Sequence, residues 1–140
     1  MKNLQVLSKF WLPAIAWAVI IFLFSNFSTT SVAPVTWQDF LVKKTIHLIE
    51  YAVFFTLWFR AFKNAFDYPL QKVAIWVFIL TVLYAVSDEI HQTFVDGREG
   101  TARDVIIDSA GALSAWILIW RYLPKAPGKL KSWAKDWKLI

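Results

Sequence analysis

Apolar residues fall along this chain in four long runs separated by short polar stretches. The first, residues 10–27, carries no charge. The second, 45–62, holds His47 and Glu50 near its start. The third, 70–87, continues into Asp88-Glu89-Ile90-His91-Gln92. The fourth, 104–123, opens on Asp104 and Asp108. A helix needs about 20 residues to cross the hydrocarbon of a bilayer. Runs one, three and four meet that length well; run two is marginal and carries polar residues. Lipid leaves helices and closed barrels as the only spanning structures, because every backbone group must find its partner within the protein. No strict alternation recurs often enough to close a barrel. The pattern therefore predicts an all-α polytopic membrane protein with four transmembrane helices.

Composition strengthens that reading. Hydrophobic residues make up 58% of the 140, with nine Trp and twelve Phe, against roughly 45–50% in soluble domains. There is no cysteine, which excludes disulfides, thiolate metal sites and a cysteine nucleophile. Run one has a signal-peptide look, with Ser31-Val32-Ala33 after it. Pro34 would follow the cut, which disfavours cleavage, so an uncleaved helix is expected.

Charge sets the orientation. Four helices put both termini and the loop between helices two and three on one side. That side holds eleven Lys and Arg and two acids, and the other holds four Lys and Arg and eight acids, so the faces carry net +9 and −4. The positive-inside rule places both termini in the cytoplasm. The net charge of +5 is thus directed at a lipid surface, and no nucleic-acid partner is expected. After Pro124, Pro127 and Gly128, the residues Leu130, Trp133, Ala134 and Trp137 recur at helical spacing, with Lys129, Lys131, Lys135 and Lys138 on the other face. Residues 125–140 read as a basic, amphipathic cytoplasmic tail forming an interfacial helix on the anionic inner leaflet, appended to a transmembrane domain over 1–124.

The outer ends of helices two, three and four concentrate ionisable groups. Lys43, His47, Glu50 and Tyr51 share one face of helix two. Tyr84, Asp88 and His91 stack on helix three, flanked by Glu89 and Gln92. Asp104, Asp108 and Gly111 share a face of helix four, where Gly111 would admit a close neighbour. The loop 94–100 carries Arg98. Groups at one depth on three helices must meet each other or a wet cavity. His47, Asp88, His91 and Asp108 are the candidates for acid–base chemistry. Lys43, Lys44, Glu50, Tyr51, Glu89, Gln92, Arg98 and Asp104 are the candidates for binding, with Arg98 and Lys43 suited to a phosphate or carboxylate. No organic cofactor is expected. No residue is assigned as a metal ligand, because no HExxH-type spacing occurs, but carboxylates beside histidines leave a divalent cation open. Each residue also has a plainer reading: Lys44 reaching the headgroups, Asp104 capping a helix, and the histidines as hydrogen-bonded bundle residues.

The run Ser87-Asp88-Glu89-Ile90-His91-Gln92-Thr93-Phe94-Val95-Asp96-Gly97-Arg98, followed by Asp104-Val105 and Asp108-Ser109-Ala110-Gly111, resembles the VanZ-like family of small membrane proteins. Lys44, His47 and Tyr51 resemble that family's pattern on its second helix, and Ser25 the serine that ends its first. The resemblance covers roughly residues 10–120. It implies a bacterial plasma-membrane protein contributing to glycopeptide (teicoplanin) resistance or envelope homeostasis, and it makes Lys44 a site candidate beside Lys43. Three expectations compete: a binding factor for a headgroup, glycan or drug; a membrane-embedded metal- or acid/base-dependent hydrolase or transferase acting on a lipid-linked envelope precursor; and a purely structural cluster.

Overall fold

The computed structural model describes residues 7–27 and 36–140 and is helical, with no strand among them. A π-helical turn, Leu7–Trp11, leads into α1, Leu12–Ser25. The remaining helices are α2, Trp37–Ala65; α3, Leu70–Gln92; α4, Ala102–Ile117; and α5, Gly128–Asp136. α4 runs on through a π turn, Leu118–Tyr122, and a 3-10 turn, Leu123–Lys125, before the backbone breaks at Ala126 and Pro127. Residues 31–34, on which the cleavage reading rests, lie outside the described residues.

The second helix begins eight residues before its apolar run. Thr36 and Asp39 form a reciprocal capping box: the threonine hydroxyl accepts from the Asp39 N–H, and the Asp39 carboxylate accepts from the Thr36 N–H. This satisfies two of the donors that a helix N-terminus leaves open. The resulting 29 residues extend about 43 Å at 1.5 Å per residue.

α2 is the central element, packed against α1, α3 and α4. Small residues let the helices approach: Ala14 on α1, Ala61 on α2, Ala74 and Ala85 on α3, and Ala112 and Ala115 on α4 are all buried. The closest approach is at Gly111, where an added Cβ would stand 2.2 Å from the Leu48 carbonyl oxygen. Aromatic side chains fill the rest, with Phe55 stacked between Phe59 and Trp116. The outward surface is apolar: Leu23, Trp76, Leu83 and Leu118 are each more than half exposed.

α5 packs back onto the bundle. Lys138 adopts a left-handed backbone (φ 59°) that turns the chain, and Leu139 enters the core cluster with Phe55, Phe59 and Val73. Arg60 of α2 lies between the Phe10 and Trp137 rings and donates to the Trp137 carbonyl at 2.5 Å and the Lys9 carbonyl at 3.2 Å. Among the described residues, two helical segments, Ser8–Ser25 and Leu70–Gln92, are long and apolar enough to cross a membrane.

Candidate functional site

At the end of the bundle where α1 finishes and α4 begins, α1–α4 and the loop after α3 enclose a cavity of about 800 Å³. Charged residues dominate one part of its wall: Lys43, Lys44, His47 and Glu50 from α2, Asp88 from α3, Arg98 and Glu99 from the loop, and Arg103 and Asp104 from α4. Ile21, Phe24, Phe27 and Ile46 supply an apolar part.

Two polar networks build the wall. The first joins α1, α3 and the loop. Asp88, 4% exposed, accepts from the Ser25 hydroxyl at 2.5 Å and from the Gln92 amide at 3.0 Å. Arg98 donates to the Gln92 side-chain oxygen at 3.4 Å and to the carbonyls of Phe24 and Phe27 at 2.7 and 2.9 Å. A cation on the open carbonyls of a helix C-terminus is favoured by the helix dipole. Gly97, with φ 77°, makes the turn that brings Arg98 there.

The second network joins α2, α3 and α4. Lys44 and Asp104 form an ion pair at 2.5 Å, and His47 Nδ1 shares a hydrogen bond with Asp108 Oδ1 at 3.1 Å. From one pair to the next the contact advances three residues along α2 and four along α4, about one turn of each, so one line of contact between the two helices carries them. Thr101 caps α4 by accepting from the Asp104 N–H. Asp104 does not return the bond expected of a capping box, since its carboxylate is held by Lys44. The Thr101 N–H donates instead to Glu89 Oε2 of α3 at 2.7 Å. Gly100 makes room, because a Cβ there would sit 2.1 Å from the Glu89 carbonyl oxygen.

The placements divide the candidates. Lys44, His47, Asp88, Gln92, Arg98 and Asp104 line the cavity and belong to the two networks, and Lys43 and Glu50 line it without an ion pair. Tyr51 is fully buried, with its ring against Phe54 and Tyr84. His91 lies apart: it stacks on Phe22 and bonds Asn26 Oδ1 at 3.1 Å, on the outer side of α1 and α3. Arg98 and Lys43 both line the cavity, with Arg98 bonded to the Phe24 and Phe27 carbonyls and to the Gln92 side chain. Glu99 is exposed and lines the cavity.

One grouping escaped the sequence reading. His47, Glu89 and Asp108 each offer a ligand atom within 4.8 Å of the other two. Glu89 Oε1, Asp108 Oδ2 and the Tyr51 hydroxyl are buried without a hydrogen-bond partner among the described residues. The three ligand residues come from three helices, so no linear spacing announces them.

An all-helical bundle with an apolar exterior and a charged cavity at one end is the architecture of a small membrane protein with a polar site. The model of the VanZ/LLP1 family matches residues 10–123, and the chain belongs to that family. No curated protein and no solved structure matches the chain.

Proposed function

We propose that this VanZ-like protein is a four-span protein of the bacterial plasma membrane, with both termini cytoplasmic, whose cavity opens to the outer face and binds the polar head of an amphiphile. The cavity carries the reading: it pairs a charged wall with an apolar one at one end of the bundle. A headgroup or glycan suits the first wall and the root of an acyl chain the second. A lipid-linked envelope precursor and a lipidated glycopeptide such as teicoplanin share that chemistry, and binding either would alter the response to the drug. The exposed Leu and Trp side chains on all sides support lipid as the surroundings. An unpaired charge at the centre of a span costs about 2.5–3.5 kcal/mol on insertion scales, which the ion pairs and a wet cavity relieve.

Thermal unfolding of the full chain in non-ionic detergent tests this. Teicoplanin or a lipid-linked precursor should raise Tm by several degrees, and Lys44→Gln should remove the shift. Equal shifts in wild type and variant, or none with either amphiphile, would contradict it. The second reading, a hydrolase or transferase on a lipid-linked substrate, is favoured by the His47–Asp108 pair and its unpartnered carboxylate oxygen. Turnover of the precursor by wild type, lost in Asp108→Asn, would establish it.

A further inference from the structure

We propose that His47, Glu89 and Asp108 form a binding site for one divalent transition-metal ion of the zinc class, at the junction of α2, α3 and α4. Three observations converge. Ligand atoms of the three residues lie within 4.8 Å of one another. Glu89 and Asp108 are 4% and 0% exposed, yet Glu89 Oε1 and Asp108 Oδ2 have no hydrogen-bond partner among the described residues. His47 Nδ1 and Asp108 Oδ1 stand 3.1 Å apart, close to the ~3.3 Å between ligands of a tetrahedral ion with bonds of about 2.0–2.1 Å.

The chemistry selects the ion. A neutral imidazole with two carboxylates brings two negative charges, which a dication neutralises in a place where water does not reach the oxygens. Mixed nitrogen and oxygen donors suit zinc and its neighbours, whereas magnesium and calcium take oxygen shells. Three protein ligands leave a coordination position for water or a substrate oxygen. The surroundings orient the donors: the Thr101 N–H holds Glu89 Oε2, leaving Oε1 to the ion, and the contact of Gly111 with Leu48 sets α4 against α2 three residues from Asp108 and next to His47. Outer-shell bonds of this kind fix ligand geometry in metal sites. His47 alone of the three lines the cavity, so it connects the ion to that space. This inference does not rest on the amphiphile reading, because metal binding is measured directly and stands if no amphiphile binds.

The test uses the full-length, untagged protein in non-ionic detergent, stripped with chelator and titrated with zinc, manganese and magnesium. We expect one zinc per chain by elemental analysis and calorimetry, a Tm raised by zinc, weaker binding of manganese and no competition by magnesium. Glu89→Gln and Asp108→Asn should each weaken zinc at least tenfold, while Asp67→Asn, in the loop before α3, binds as wild type. X-ray absorption of the wild-type zinc form, which needs no variant to fold, should show one imidazole nitrogen among oxygen neighbours. Substoichiometric zinc, a shell without imidazole, or unchanged affinity in folded Glu89→Gln and Asp108→Asn would overturn the site.

Discussion

Gly111 and Gly128 differ only in what surrounds them. A methyl group at Gly111 would press on the Leu48 carbonyl, and one at Gly128 meets nothing within 4 Å. Overpacking of this kind costs about 1–3 kcal/mol. Gly111→Ala should therefore lower the unfolding temperature in detergent, and Gly128→Ala should leave it unchanged; equal behaviour would show that α4 does not sit where described. Asp39 tests the start of α2. Its hydrogen bonds with the Thr36 side chain and backbone hold the carboxyl below its ordinary value of 3.8. A depressed folded value means that the contribution to stability is present above the unfolded value and is lost as pH falls through the folded one. An NMR titration should give an Asp39 midpoint under 3.8, and Thr36→Ala should raise it. Single residues also show the limit of sequence spacing. Helical spacing stacks Asp88 with His91 on α3 and sets Glu89 beside them. Successive helical residues turn by 100°, so Glu89 faces α4, Asp88 faces Ser25, and His91 swings to Phe22 and Asn26. A turn of 60° between Asp88 and His91 separates the cavity wall from the outer side of α1 and α3.

Among the elements, α1, α3 and α4 were legible because apolar runs bounded by polar residues and Pro or Gly mark them directly. The first two turns of α2 were not, because Trp37–Lys44 mixes charge with apolar residues. The signal was there in Thr36 and Asp39, three apart, which is a capping pattern. The polar faces of α2 and α4 were legible as helical spacing, which puts His47 and Asp108 on facing stripes; Lys44, a candidate through the family resemblance alone, pairs with Asp104. The tail helix was legible in its period, but its anchoring was not: Arg60, Lys138 and Leu139 act through contacts distant in sequence. Arg60→Lys keeps the charge but loses the planar fork. Hydrogen bonds to a charged group are worth about 1.5–3 kcal/mol, so the variant should unfold earlier and release α5 to proteolysis; an unchanged digestion pattern would contradict the clamp. If α5 also lies on the inner leaflet, Trp133 and Trp137 should be shielded from aqueous quenchers in anionic vesicles, and removing residues 128–140 should weaken that association.

At the scale of the whole molecule, chemistry and orientation are joined. Lys43, Lys44, Arg98 and Arg103 all stand at the cavity end, with eight of the ten acids. Among the described residues, the other end holds Lys9, Arg60, Lys63, Lys72 and the basic residues from Arg121 onward. The account therefore requires the cavity end outside the cell and the tail inside. The absence of native cysteine makes a direct measurement simple. Glu99→Cys at the cavity rim and Lys129→Cys on α5 can each be introduced alone and exposed, in intact cells, to a maleimide that does not cross the membrane. The account predicts labelling of the Glu99 variant at once and of the Lys129 variant only after the membrane is opened. Labelling of the Lys129 variant in intact cells, with the Glu99 variant protected until lysis, would turn the cavity toward the cytoplasm and contradict it.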